Sequence, residues 1–199
     1  MKKMFMNSSI NFINKYYDYS DNDIKKLNYG LEGIYLTISK TIIIFLVALL
    51  LDILKEVIIV LLLFNLIRYT GFGFHAEKSY QCLICSLINF VLLPLFFLNI
   101  QIPINVSILL AGVCIINFFF FAPADTVKRP LPNKRKRIIR KILTVTTGII
   151  YTLLMYILND SYFSSLLLTS LIIEVIVINP LIYKIFKQPY NNYKNLNSV

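Results

Sequence analysis

The segment FFFFAPADTVKRPLPNKRKRIIRK, Phe118–Lys141, sets the orientation of everything around it. Four phenylalanines close an apolar run, prolines at 123, 130 and 132 stiffen the exit, and eight basic residues follow between Lys128 and Lys141. Lysine and arginine this dense beside an apolar run mark the cytoplasmic side of a membrane. The flanking runs, Ile104–Ala122 and Ile142–Leu158, are long enough to cross it, since a spanning helix takes roughly 17–25 residues. Four further apolar segments occur, at Ile34–Leu51, Val57–Ile67, Cys82–Ile100 and Leu166–Tyr183.

Composition agrees. Of 199 residues 57% are hydrophobic, and the mean hydropathy is +0.70. A soluble domain is nearer 45–50% apolar, so one compact core would leave too much apolar surface in water. The expected fold is an all-α integral membrane protein of six transmembrane or partly re-entrant helices. Both termini, a small active-site loop and the basic loop would be cytoplasmic. On this topology eighteen of the twenty basic residues fall inside. Lys55 falls outside and Lys40 lies within the first segment. Val57–Ile67 has only 11 residues and spans only if its ends reach into DILKE and RYTGFG. Reading it as re-entrant inverts the downstream orientation and puts the eight-charge loop outside, unless the first segment also stops short.

Three regions are expected. Residues 1–33, with Phe5, Phe12, Ile13, Tyr16 and Tyr17 among lysines and serines, suit an amphipathic segment on the inner leaflet. Residues 34–186 form the polytopic body, and 187–199, ending NNYKNLNSV, a flexible cytoplasmic tail. Lys2 and Lys3 precede sequence too polar for a secretory leader. The net charge of +10 is explained by membrane topology and calls for no nucleic acid. Three cysteines without paired spacing predict thiols on a reducing face, not a disulfide framework.

Chemistry concentrates in GFGFHAEKSYQCLICS, Gly71–Ser86, which holds the chain's single histidine, His75, and two cysteines, Cys82 and Cys85. A nucleophilic cysteine needs a base and a lowered pKa. On one unbroken helix His75 and Cys82 would share a face yet lie about 10 Å apart along the axis. A working pair therefore requires a break. Ser79 is a candidate N-cap, which would put Cys82 at the third helical position, where the helix dipole favours a thiolate. Gly71 and Gly73 would let the preceding chain fold back. The plainer alternative is an interfacial histidine beside two packing cysteines. A metal set of His75, Glu77, Cys82 and Cys85 fits no usual spacing. No cofactor is expected.

The basic loop has a plain reading as topology determinant and contact for anionic inner-leaflet lipid. Its functional reading is an acidic peptide held by Lys128 and Arg129, with the prolines fixing the backbone. Glu174, in mid-segment, needs a partner, with Lys40 a candidate, or a function. Asn65, Asn89 and Asn117 read as interhelical hydrogen-bonding groups. Asp125, Asn117 and Gln81 are candidates for a third catalytic residue.

Arg68, Gly73, His75 and Cys82, in this order and spacing after the second apolar segment, resemble the AgrB (accessory gene regulator protein B) family. PADTVKRPL, Pro123–Leu131, looks like that family's basic-basic-Pro loop. The resemblance covers nearly the whole chain. Gly-Phe-Gly stands where many members have Gly-Gly beside the histidine, a departure that bears on loop geometry. The resemblance implies a bacterial membrane cysteine endopeptidase of quorum sensing. Such an enzyme cleaves an AgrD-type propeptide through a thioester and promotes closure of a thiolactone or lactone ring. It implies Cys82 as nucleophile and His75 as general base and acid. Substrate contacts are expected from Lys128, Arg129 and Arg68, and loop geometry from Gly71, Gly73 and Pro130. The propeptide's acidic C-terminal tail and a homodimer are the further partners implied. The rival functional class is a small transporter or channel built on Glu174 and Lys40. A scaffold that only anchors a partner kinase is a third.

Overall fold

The structure, a computed structural model, describes Phe12 and residues 21–76, 78–100, 102–126 and 130–193. Lys128, Arg129, Glu77 and nearly all of the expected N-terminal interfacial segment before residue 21 lie outside the described residues. The described chain is helical, with no strand among those residues.

Two compact units divide after Val47. The first is described by helix α1, Asp21–Leu50, which runs on past Val47. It passes without interruption through the expected boundary at 33/34. Nothing in its sequence stops it, and Thr37 and Thr41 return their hydroxyls to the backbone at Gly33 O (2.8 Å) and Thr37 O (3.0 Å).

The second unit begins with α2, Leu54–Gly71. Helix α3, Ser79–Leu87, continues through a π-helical turn, Ile88–Leu92, into α4, Leu93–Ile100. Pro94 accounts for the irregular turn, because it has no N–H to return to the preceding turn. Then come α5, Ile104–Phe121, α6, Lys134–Leu158, α7, Ser161–Ile178, and short α8, Pro180–Ile185. Among the described residues five helical stretches are long and apolar enough to cross a membrane: Lys26–Leu50, Ser79–Ile100, Ile104–Phe121, Lys134–Leu158 and Ser161–Ile178. The chain is a multi-pass membrane protein. Helix α2 is 18 residues long, about 27 Å, but carries Lys55, Glu56 and Arg68 near its ends.

Several helices begin earlier than their apolar runs, α6 and α7 most clearly. Helix α6 starts at Lys134, inside the basic run, because the Asn133 side chain caps it, accepting from Lys136 N at 3.2 Å. Helix α7 starts at Ser161, capped by Asp160, which accepts from Phe163 N at 3.0 Å. It stops at Ile178 because Asn179 turns the chain and Pro180 starts a new helix.

Helix α7 is the core of its unit. Twelve of its eighteen residues are buried, among them Ser164, Ser165, Thr169 and Ser170, small side chains that allow close approach where lipid supplies no hydrophobic drive. Large apolar side chains such as Leu62, Leu109, Phe120 and Ile157 point outward, as expected where the surrounding solvent is hydrocarbon. At one end of this unit Tyr162 donates to Glu56 Oε1 at 2.7 Å, joining the starts of α2 and α7. The other end gathers the C-termini of α2, α5 and α7 with the first turns of α6. The histidine loop lies there.

Candidate active site

Helix α2 ends at Gly71, and its last carbonyls need partners. Phe72 N returns to Arg68 O at 3.1 Å, Ala124 N to Gly71 O at 2.9 Å, and Arg140 of α6 donates to Tyr69 O at 2.8 Å. The loop after α2 thus lies along Ala122–Asp125, paired through a parallel bridge between Phe72 and Ala124. Gly73 N donates to Ala124 O at 2.8 Å, and Phe74 N to Val177 O, at the end of α7, at 2.7 Å.

Arg68 organises the same loop from below. Its guanidinium donates to the carbonyls of Phe72, Gly73 (2.9 Å) and Phe74 (2.6 Å). The two glycines leave it room. Gly73 has φ +109, and a Cβ there would meet Val177 O at 2.7 Å and the Arg68 guanidinium. A Cβ on Gly71 would fall on Glu174 Oε1. Phe72, between them, also takes a left-handed φ of 60, rare for a non-glycine residue. Its ring is held 4.4 Å from the Arg140 guanidinium. The Gly-Phe-Gly departure therefore has a local counterpart, a cation–π contact that a glycine could not make.

Beyond the glycines the loop is extended and its side chains alternate. Phe74 is buried between Tyr183 (5.9 Å) and Phe186 (4.5 Å), Ala76 is buried, and His75 between them is exposed. Gln188 Nε2 donates to His75 O at 3.2 Å. The backbone is thus anchored on both sides of an outward imidazole. Lys78 is still extended, and α3 opens at Ser79. The helix is broken between His75 and Cys82, as a working pair requires. The cap differs from expectation. Lys78 occupies the N-cap position with no side-chain cap bond, so Ser79 is the first helical residue. Cys82 is then the fourth, its N–H donating to Lys78 O at 3.0 Å. It still lies in the turn the helix dipole reaches. Cys82 and Cys85 are half-buried thiols, and Cys114 is a buried one in α5.

Of the remaining candidates, Asp125 is buried and its carboxylate accepts from Leu131 N (3.3 Å), Asn192 N (2.9 Å) and Tyr193 N (2.8 Å). The expected flexible tail is therefore held as far as Tyr193, because a buried carboxylate supplies acceptors for its N–H groups. Residues 194–199 lie outside the described residues. Burial pushes the Tyr183 phenol up, and that of Tyr190 to about 12. Asn117 bonds within its own helix, to Val113 O at 2.9 Å, not across helices, and Asn65 is exposed. Asn89 lies half-buried in the π-helical turn, Gln81 half-buried in the first turn of α3, and Pro130 half-buried in the stretch before α6. Glu174 is fully buried in α7, and neither carboxylate oxygen has a hydrogen-bond partner among the described residues. Sequence reasoning missed Arg140 and the Thr70–Thr144 hydroxyl bond (3.0 Å), which ties α2 to α6. Arg140 was hidden in the basic run, and its four-residue spacing from Thr144 was the available clue.

A helical membrane protein with a broken histidine–cysteine segment beside a proline-rich basic loop is defined by these elements. The chain belongs to the AgrB family, the accessory gene regulator proteins of quorum sensing: the family model for accessory gene regulator B matches residues 6–178. An AgrB-like protein of Listeria monocytogenes serovar 1/2a is 36% identical over 171 residues, 85% of this chain and 83% of that one. One from Clostridium acetobutylicum is 33% identical over 183 residues, 91% and 87% of the two chains. The accessory gene regulator protein B of Staphylococcus saprophyticus is 33% identical over 151 residues, 76% and 79%. No solved structure matches.

Proposed function

We propose that this protein is a membrane cysteine endopeptidase that cleaves an AgrD-type propeptide and promotes its cyclisation for quorum sensing. Cys82 attacks the scissile carbonyl as thiolate. His75 takes the thiol proton and returns it to the leaving amine. The N-terminal product stays on sulfur as a thioester. A cysteine or serine side chain within the peptide then displaces Cys82 and closes a thiolactone or lactone. The observation that carries this reading is the break between His75 and Cys82. It lifts the constraint of an unbroken helix, which would hold the pair about 10 Å apart along its axis, and it leaves the thiol in the first turn of α3.

Six crossings, α2 among them, with both termini and the active site cytoplasmic, belong to the same proposal. The distribution of basic residues supports it. Lys128 and Arg129 attract the propeptide's acidic tail, and the basic run also meets anionic lipid. Arg68, already engaged by three loop carbonyls, serves the site by shaping its loop more than by touching substrate. A homodimer is the working form. Ring closure must outrun hydrolysis, and a thioester held at the membrane interface is partly screened from water.

The test is cleavage of propeptide by purified protein in liposomes. Cys82→Ala and His75→Ala should each abolish it while the protein still inserts, and Cys85→Ala should retain it. Activity in Cys82→Ala together with none in Cys85→Ala would reassign the nucleophile. Lys128→Gln with Arg129→Gln should weaken cleavage and flatten its salt dependence. An unchanged salt profile would remove that contact.

A further inference from the structure

Short helix α8 ends at Ile185, and the chain reverses at Lys187, whose φ is 54. Gln188 N returns to Tyr183 O at 2.8 Å. The segment from Phe186 to Tyr193 then forms a strap with two attachments. At one end it meets the histidine loop: the Phe186 ring lies 4.5 Å from that of Phe74, and Gln188 Nε2 donates to His75 O at 3.2 Å. At the other end it is tied to the stretch between α5 and α6. The Tyr190 hydroxyl donates to Phe121 O at 3.2 Å, and the N–H groups of Asn192 and Tyr193 donate to the Asp125 carboxylate at 2.9 and 2.8 Å. The Arg137 guanidinium lies 3.7 Å from the centre of the Tyr193 ring. The family match ends at residue 178, so the strap lies beyond it.

We infer that Gln188 is a positioning residue for the proposed peptidase: carried on a strap that Asp125 anchors, its amide fixes the backbone of His75 and so the point from which the imidazole reaches Cys82. An exposed imidazole turns about its own two side-chain torsions, so its reach is set by where its backbone is held. Upstream, Phe74 is tied by its N–H to Val177 O and by its carbonyl to Arg68. His75 itself is exposed, and extended chain at the surface, with few buried contacts, opens locally at low cost. The bond from Gln188 opposes that opening. A carbonyl only accepts, so the bond needs the donor end of the amide. Asp125, a candidate third catalytic residue on sequence grounds, then serves His75 through the strap. The inference rests on the peptidase reading.

The measurement uses full-length protein in liposomes, with propeptide turnover and alkylation of Cys82 by iodoacetamide in a Cys85→Ala, Cys114→Ala background. Gln188→Met keeps the length of the side chain and removes the donor. Expected are a kcat lower by roughly 2–10-fold, the scale of one hydrogen bond, an unchanged KM, and Cys82 alkylation slowed toward the rate seen in His75→Ala. A strap that only packs would, when loosened, uncover the thiol and speed its alkylation. Wild-type kcat in Gln188→Met would overturn the inference, as would a lower kcat with normal or faster alkylation, or an effect confined to KM. Asp125→Ala tests the anchor. With the strap already free, Asp125→Ala and Asp125→Ala/Gln188→Met should share one kcat, no higher than that of Gln188→Met. A second loss as large as that of Gln188→Met alone would overturn the link through the strap. If Asp125→Ala does not fold, Gln188→Met decides alone. Cys82→Ala runs alongside. Cleavage by that variant would sink the peptidase reading itself, whereas an inactive Cys82→Ala with a fully active Gln188→Met would sink only the role given to Gln188.

Discussion

Gly71 and Gly73 both exclude a side chain, but for different reasons, and alanine at each should separate them. Gly73→Ala meets two rigid obstacles. Its φ of +109 is strained for any L side chain, and its Cβ would lie 2.7 Å from the Val177 carbonyl, fixed backbone at the end of α7. Backbone strain of this kind costs on the order of 1–3 kcal/mol, and forced overpacking typically adds ~1–3 kcal/mol. A loss of about 3 kcal/mol corresponds to a melting point lower by roughly 6–12 °C for a chain of this size. Gly71→Ala meets the end of one side chain, Glu174 Oε1, with Thr144 Cγ2 at an ordinary 3.4 Å. It sits at a helix end, where alanine regains up to about 1 kcal/mol, so its net loss should be near 1 kcal/mol. Shortening the obstacle decides the matter: Glu174→Ala should restore the melting point of Gly71→Ala and leave that of Gly73→Ala low. Thermal unfolding followed by circular dichroism in detergent reads all four variants. Equal losses at the two glycines, or rescue of Gly73→Ala by Glu174→Ala, would refute the loop packing described above.

Asp125→Ala should free the C-terminal segment, since Leu131, Asn192 and Tyr193 each lose a carboxylate acceptor. Trypsin should then cut after exposed Lys187 at least tenfold faster, with a stability loss of about 1–3 kcal/mol; unchanged proteolysis would contradict the anchoring. Raised phenol pKa values give a pH dependence of definite sign. Tyr190 in the folded chain keeps its proton to about 12, whereas an unfolded tyrosine releases it near 10. Its contribution is complete below pH 10 and is lost as pH rises toward 12. Tyr190→Phe should make the melting point fall less steeply across that window, and an equally steep fall would count against burial as the cause.

The sequence made the membrane class legible because apolar composition and basic asymmetry are summed over the whole chain, and local errors average out. Helix ends were less legible. Asn133 and Asp160 act as caps, but apolar counting begins a segment at its first greasy residue, so α6 and α7 were expected to start late. Helix α2 shows the same effect, since its ends are built from charged and polar residues. Within the site, the break between His75 and Cys82 was readable from Ser79, with Gly71 and Gly73 letting the preceding chain fold back. The cap residue itself was not, because Ser79 has the right side chain yet sits one position inside the helix. The setting of Glu174, buried without a hydrogen-bond partner among the described residues, depends on how distant helices pack, and periodicity carries no information about which buried groups meet. Asp125 was singled out for its chemistry, but besides Leu131 what it holds lies beyond residue 190, in a stretch that reads as a loose tail.

The central claim is that Cys82 carries the peptide as a thioester. Intact mass of the purified protein after brief mixing with propeptide, quenched in acid, tests it directly. The account predicts an adduct equal to the N-terminal cleavage product less one water, mapped to Cys82 and absent in Cys82→Ala. The released peptide should be lighter than its free acid by one water. Cleaved peptide of free-acid mass from wild-type protein that never carries an adduct, or cleavage that survives Cys82→Ala, would contradict it.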